Sequence, residues 1–405
     1  MKNGWDLCEG NMKTSGFMPS RMLFGDEELQ IIKEVFEHYR EKNVDFGYQG
    51  DYEKLYTDAF VKYLEVDGFA DAVCTGTAAL FVAVASLQLK PGSHVLVSCI
   101  TDPGTINAII LNQLVPVLCD NAANSYNIGA EEFEKRITDK TKAVIVVHAA
   151  GKSAPIDLIS EIAKKNDIYV IEDCSQAHGA RCGKKRVGTF GHIAAFSTMY
   201  RKNHSTGGCG GVVFTQERKR YDLIRSYADR GKPFSKDDFD EKNPATFLFP
   251  ALNLNIDEIS CAIGIKTLSK LDTIIKKRLN FLYELKNALE KYSKTCRILN
   301  LSDKDSPFFQ PIFVDTSKIA CSKIEFAKAL QAEGVTINPD YMYVVSEWPW
   351  VRPYLSDTYF CENAVKYRDS TFNLLFNENC GRDEVHNIVS AVCKTEIKYI
   401  LKGIY

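Results

Sequence analysis

The chain has little of what marks a membrane, secreted or nucleic-acid-binding protein. No apolar run reaches the ~20 residues of a bilayer-spanning helix. The opening stretch MKNGWDLCEGNMKTSGFMPS holds no apolar segment of the kind a secretory leader carries. Lys and Arg number 50 against 52 Asp and Glu, so the net charge is -2 and no basic excess exists to hold nucleic acid or an anionic membrane. The 13 cysteines never fall in a Cys-x-x-Cys spacing; an odd count without a leader predicts reduced thiols and a cytoplasmic location. Internal repeats and low-complexity segments are lacking.

What is present is an ordinary globular composition, 45% hydrophobic, over 405 residues. That length fits a large domain plus a smaller one; the polar, Gly-containing residues 1–25 predict a loosely attached N-terminal arm, followed by a large domain over 26–255 and an interdomain helix with a small C-terminal domain over 256–405. Helical spacing covers Asp26–Glu41 and Tyr52–Leu64. Apolar runs of strand length then alternate with helix-period segments. The run Ala72–Cys74 precedes a helix over Ala78–Leu87, strand His94–Val97 a helix over Thr105–Asn112, and strand Val115–Cys119 a short helix over Glu131–Ile137. Strand Ala143–Val147 precedes a helix over Ile156–Lys165, and further strands fall at Ile168–Ile171 and Ala194–Ser197. This alternation predicts an α/β fold with a mostly parallel central sheet and helices on both faces. Thr215–Tyr227 reads as a basic helix, Asp229–Thr246 as an exposed loop, and Asp257–Tyr292 as a long helix between domains. A strand over Phe308–Val314 and helices over Ser322–Gly334 and Arg382–Ile400 fill the smaller α/β part. The aromatic stretch Asp340–Tyr354 reads as domain-interface core, with a stacking surface for a base or sugar as the alternative.

The chemistry concentrates between Tyr169 and Val213. Glu172 and Asp173 end a buried strand, and in open α/β sheets ligands bind beyond such strand ends. Ser197 ends another strand. Lys202 follows in a polar loop, ahead of Gly207, Gly208, Gly210 and Gly211. An acid, a hydroxyl, a lysine and closely approaching backbone suit pyridoxal 5'-phosphate (PLP). Its aldehyde takes a lysine amine, its ring nitrogen takes a carboxylate, and its phosphate takes hydroxyls and helix N–H groups. Thr75-Gly76-Thr77, at the head of the Ala78–Leu87 helix, offers such an anion site, although a Gly-Thr cap alone is common. Cys182 and Cys209, near this stretch, read as small apolar fillers.

The segments VIEDCSQAHGA and KKRVGTFGHIAAFS, then a lysine before GGCGGVV, resemble the DegT/DnrJ/EryC1/StrS aminotransferases, a sugar aminotransferase group of PLP-dependent transferase fold type I. The resemblance runs from about Phe60 to Ile263 and more faintly beyond. It implies that Lys202 is the catalytic, Schiff-base lysine and that Asp173 meets the pyridine nitrogen. It further implies that Gln176 binds the cofactor's 3-hydroxyl and that Gly76, Thr77 and Ser197 hold its phosphate. Asn253 matches an asparagine that, in the family, reaches the phosphate in the neighbouring subunit, so a homodimer is expected. His148 is either a pocket residue or a structural histidine, the latter favoured. The chain departs from the family in three places. Asp102 stands where a ring-stacking aromatic is usual, His192 where Asp is common, and Asn255 where Arg is common.

The implied function is transfer of an amino group from an amino acid, glutamate foremost, to a keto-sugar carried on a nucleotide, for surface polysaccharide or amino-sugar synthesis. No metal, nucleic acid or membrane is expected as a partner. A family subgroup with histidine in place of the lysine removes a sugar hydroxyl instead, and Lys202 argues against that chemistry here. Two further readings stay open: an aminotransferase for a cyclitol or octulosonate, and a non-catalytic regulatory protein of the same fold.

Overall fold

The computed structural model describes residues 16–236 and 239–401. The chain opens with α1 (Asp26–Glu41) and α2 (Asp51–Leu64), followed by β1 (Phe69–Val73), α3 (Gly76–Ala85), β2 (His94–Ser98), α4 (Pro103–Leu111) and β3 (Val115–Cys119). Next come α5 (Ala130–Glu134), β4 (Thr141–Val147), α6 (Ile156–Lys165), β5 (Tyr169–Asp173), the hairpin β6 (Arg181–Cys182) and β7 (Lys185–Arg186), β8 (Ile193–Ser197), β9 (Gly211–Thr215) and α7 (Arg218–Ala228). After α8 (Glu258–Tyr292) stand β10 (Cys296–Arg297), β11 (Gln310–Val314), α9 (Lys323–Ala332), β12 (Ile337–Asn338), α10 (Glu362–Asp369), β13 (Thr371–Leu374) and α11 (Arg382–Tyr399).

Seven strands form one sheet in the order β1-β9-β8-β5-β4-β2-β3. The pairs β2–β3, β2–β4, β4–β5 and β5–β8 are parallel. Only β9 runs against the rest, pairing antiparallel with both β1 and β8. The sheet is therefore mostly parallel, and its strands read as near-continuous apolar runs because both faces are buried. β9 is an addition to the sequence reading, which starts a helix at Thr215. The helix starts three residues later because Thr215 closes the strand, its hydroxyl accepting from the Glu217 N–H at 3.2 Å.

A second, antiparallel sheet of order β10-β11-β13-β12 packs against α9 and α11. The 35 residues of α8 span about 52 Å and tie the two sheets together. Cys261, Leu268 and Leu271 at its start pack with α2, β8 and β9. Phe281, Leu282, Leu285 and Leu289 near its end enter the core of the smaller sheet. Asp257 caps it, accepting from the Ser260 N–H at 2.9 Å.

The sequence leads one to expect a loose arm over residues 1–25. Residues 1–15 lie outside the described residues, but 16–25 are firmly docked. Phe17 and Met18 pack on the small-sheet core, and Asn377 and Asn379 donate to the carbonyls of Pro19, Ser20 and Arg21. Tyr341, Val344, Val345 and Val351 enter the large-sheet core, as expected for interface residues. Among the described residues, every cysteine is a free thiol and no helix is long and apolar enough to cross a membrane.

Candidate active site

The C-terminal ends of β4, β5 and β8 and the loops after β1 and β2 meet around a cavity of ≈ 240 Å³. Its wall includes Gly76, Thr77, Asp173, Gln176, Ser197 and Lys202, six positions that the motifs single out.

One end is the head of α3. Thr75 is extended and its hydroxyl accepts from the Ala78 N–H at 3.0 Å. The first N–H groups of a helix have no intrahelical acceptor, so those of Gly76 and Thr77 are available to an anion. Gly76 is required sterically: a Cβ there would lie 2.4 Å from Ser197 Cβ and 2.8 Å from its hydroxyl. That close approach places the Ser197 hydroxyl beside the helix terminus. Gly76→Ala is expected to force the two loops apart, weakening phosphate-group binding at least about tenfold and costing about 1–3 kcal/mol of stability. Titration of the apoprotein with PLP, beside a thermal melt, checks both effects.

The other end is acidic. Asp173 is buried at the tip of β5 and receives the Ser175 N–H at 3.1 Å and the Thr105 hydroxyl at 2.9 Å. Thr101 donates in turn to Thr105 at 2.7 Å, so a hydroxyl chain fixes the carboxylate. Gln176 lines the cavity, accepts from the Ala150 N–H at 2.9 Å and lies beside the Tyr341 hydroxyl.

Lys202 is only 9% exposed, in the connection from β8 to β9. Its Nζ sits 4.5 Å from the centre of the Phe308 ring. Burial pushes its pKa below the ordinary lysine value, and the charges of Asp173 and Asp102 oppose that shift. The lysine is thus biased toward the neutral amine, the form that attacks a carbonyl. Its backbone is clamped from afar: the Arg21 guanidinium donates to the carbonyls of Lys202 at 2.8 Å, Tyr200 at 3.1 Å and Asn203 at 3.2 Å. Glu378 holds both Arg21, at 2.9 Å, and the buried Arg278, at 2.9 Å, and Arg278 donates to the carbonyls of Pro307 and Phe308. No local motif points to Arg21, Glu378, Arg278 or Phe308. They reach the lysine and its cavity only through contacts between distant segments.

Several neighbours of the motif have structural roles. His148 Nδ1 accepts from the Ala154 N–H at 3.0 Å, so its Nε2 carries the proton that meets Glu172 at 3.0 Å. Glu172 also accepts from Gly188, Phe190 and Gly191, which saturates it. The His148, Glu172 and Cys174 cluster is accordingly part of the core. His204 is fully buried between Tyr56, at 2.6 Å, and Thr267, at 3.1 Å, and burial drops its pKa to about 3. It lines no part of the cavity and is no substitute for Lys202. Asp102 caps α4 through the Gly104 N–H at 2.9 Å and lines the cavity mouth, with Leu80, Val147 and Met199 as the apolar wall. Asn253 is exposed just before α8, bonded to Asn255 at 2.8 Å, and does not line this cavity.

A larger cavity, ≈ 460 Å³, lies between α2, β1 and α7. The head of α2 there is already filled, because Glu258 accepts from the N–H groups of Gly50, Tyr52 and Glu53. The smaller cavity joins the α3 N-terminus, hydroxyls, a carboxylate and a buried lysine. That donor set fits PLP. Thr77, Ser197 and the α3 head would hold its phosphate, Asp173 its ring nitrogen, Gln176 its 3-hydroxyl and Lys202 its aldehyde carbon. When bound, the group supplies a carbonyl carbon and a ring that stores an electron pair.

The family model of the DegT/DnrJ/EryC1/StrS aminotransferases matches residues 26–393. The GDP-perosamine synthase of Escherichia coli O157:H7 is 30% identical over 57% of this chain, a match spanning about three fifths, 61%, of that protein's length. Among solved structures, Helicobacter pylori PseC, an aminotransferase involved in the biosynthesis of pseudoaminic acid, superposes with a TM-score of 0.84 at 22% identity, covering 95% of this chain and 100% of that one. The E. coli GDP-4-keto-6-deoxy-D-mannose-3-dehydratase with bound hydrated PLP superposes with a TM-score of 0.83 at 22% identity over 93% of this chain and 100% of that one, so the fold alone hosts both chemistries. The chain belongs to the DegT/DnrJ/EryC1/StrS family of PLP-dependent aminotransferases.

Proposed function

We propose that the protein moves an amino group from an amino acid, glutamate, to the carbonyl carbon of a keto-sugar carried on a nucleotide. The observation that carries this reading is the buried Lys202 in one cavity with Asp173 and the α3 head. In the first half-reaction, with PLP bound, Lys202 would hold its aldehyde carbon and yield it to the donor's amine, and the freed Nζ would take the proton from the donor Cα. The amine stays behind and the donor leaves as its keto acid, with one water consumed. In the second half Lys202 returns a proton to the sugar carbon that receives the amine, and one water is released. Asp173 would hold a proton on the ring nitrogen in both directions. Asn253 reaches the phosphate of the neighbouring subunit, which makes a homodimer the active unit.

Removal of a sugar hydroxyl is the second reading, supported by the fold likeness to the dehydratase. The lysine at position 202 stands against it, because the family resemblance implies histidine there in the dehydrating subgroup. An absorption spectrum of the PLP-loaded protein tests the transaminase reading. Glutamate is expected to convert the visible band of lysine-bound cofactor to the spectrum of the amine form. A spectrum unchanged by any amino acid donor would refute it.

A further inference from the structure

A strip of stacked aromatic rings leads from the mouth of this cavity to the surface. Tyr341 is buried beside Gln176 and Asp102. Tyr343 stacks on it at 4.8 Å and 28°, and the Tyr343 carbonyl accepts from the Thr101 N–H at 3.3 Å, next to cavity-lining Asp102. Trp348 meets Tyr343 edge-on at 6.4 Å, and Trp350 lies nearly parallel to Trp348, at 5.8 Å and 19°. The Trp348 indole N–H donates to the Met342 carbonyl at 2.8 Å, which fixes the ring. Tyr341 is 7% exposed, Tyr343 36% and Trp350 45%, with Trp348 half-buried between the last two.

Of the acids beside it, two are paired, while Asp102 caps α4 through the Gly104 N–H. Glu347 is held by Arg368 at 2.7 and 2.9 Å, and Asp340 by Lys323 at 3.4 Å. Arg352, two residues past Trp350, is exposed and has no ion-pair partner among the described residues. A partly exposed run of aromatic rings that begins beside the cavity, with an exposed arginine two residues along the chain from its outer ring, matches a base linked through a diphosphate.

We propose that Tyr343, Trp348 and Trp350 seat the base of the sugar-nucleotide substrate and that Arg352 supplies charge for its diphosphate. This rests on the sugar-nucleotide reading above and adds the residues that select the handle. Because free nucleotides need no turnover to bind, the inference is tested apart from catalysis.

The experiment titrates the PLP-loaded protein with UDP, GDP and dTDP, following tryptophan fluorescence and calorimetric heat, in wild type, Trp350→Ala and Arg352→Gln. At least one diphosphate is expected to bind the wild type. Trp350→Ala is expected to weaken it about tenfold or more. Arg352→Gln is expected to weaken the diphosphate and leave the matching nucleoside unchanged. The glutamate half-reaction should stay at the wild-type rate in both variants, which also shows that they fold. The proposal is overturned if no nucleotide binds the wild type, or if Trp350→Ala binds within twofold of wild type. It is overturned equally if Trp350→Ala changes the oligomeric state, because the strip is then a contact between copies of this chain. Loss of the glutamate half-reaction in the wild type would instead overturn the transaminase reading and leave the nucleotide result standing.

Discussion

Lys202→Ala is expected to abolish amino transfer while the cofactor still enters the cavity. The phosphate end, at Gly76, Thr77 and Ser197, and the carboxylate of Asp173 do not depend on the lysine. What disappears is the amine that holds the aldehyde carbon and the group that shuttles the Cα proton. Losing a nucleophile and a general base together lowers the rate by at least about four orders of magnitude. Single-turnover kinetics with glutamate measure the loss. Lys202→Arg is expected to fail as badly, because a guanidinium stays protonated and neither attacks a carbonyl nor accepts a proton. A Lys202→Ala protein that turns over within tenfold of wild type would place the chemistry on another residue.

Glu378→Ala is expected to cost about 3–5 kcal/mol, the scale of leaving a buried charge without its partner. Glu378 is 8% exposed and binds Arg278, itself 2% exposed, as well as Arg21. Burial alone would raise the Glu378 pKa, but the two guanidiniums outweigh it and hold the group below the ordinary carboxylate range. A carboxyl depressed in the folded state stabilises the fold above its unfolded pKa of about 4.3 and loses that contribution as pH falls through the folded value. The gap between wild type and Glu378→Gln in urea unfolding should therefore be full near neutrality and shrink below about pH 4. The same variants should lose activity, because Arg21 and Arg278 anchor the Lys202 backbone and the Phe308 carbonyl. A Glu378→Ala protein as stable as wild type would show that the network is dispensable.

The parts that were legible in the sequence are those whose chemistry is local. Asp173 and Gln176 follow one apolar strand, Ser197 ends the next, and Lys202 is the lysine of a short polar loop, so strand ends and spacing alone bring them to one side of the sheet. The Thr75 cap was legible because a hydroxyl and a glycine ahead of an apolar helix have few other uses. The helix read from Thr215 starts at Arg218 because the buried run Gly211–Thr215 is an added strand, which helical spacing does not exclude. The strand Thr371–Leu374 and helix Glu362–Asp369 escaped because they are short, and the Cys361 cap has no side-chain bond. The Arg21–Glu378–Arg278 clamp was illegible for another reason. Its members are separated by up to 357 positions, and an isolated charge carries no sign of its distant partner. The aromatic stretch 340–354 serves two ends: Tyr341 and Val344 are core, whereas Trp350 and Tyr354 face solvent. Composition does not divide such a segment.

The most direct test follows the nitrogen. The PLP-loaded protein is given [15N]glutamate and then a nucleotide-linked keto-sugar, and the sugar product is weighed by mass spectrometry. The account predicts 15N on the sugar carbon that held the carbonyl, with one keto acid released per amino-sugar formed. A product that has lost a hydroxyl and carries no label would contradict it and assign the chain to sugar dehydration.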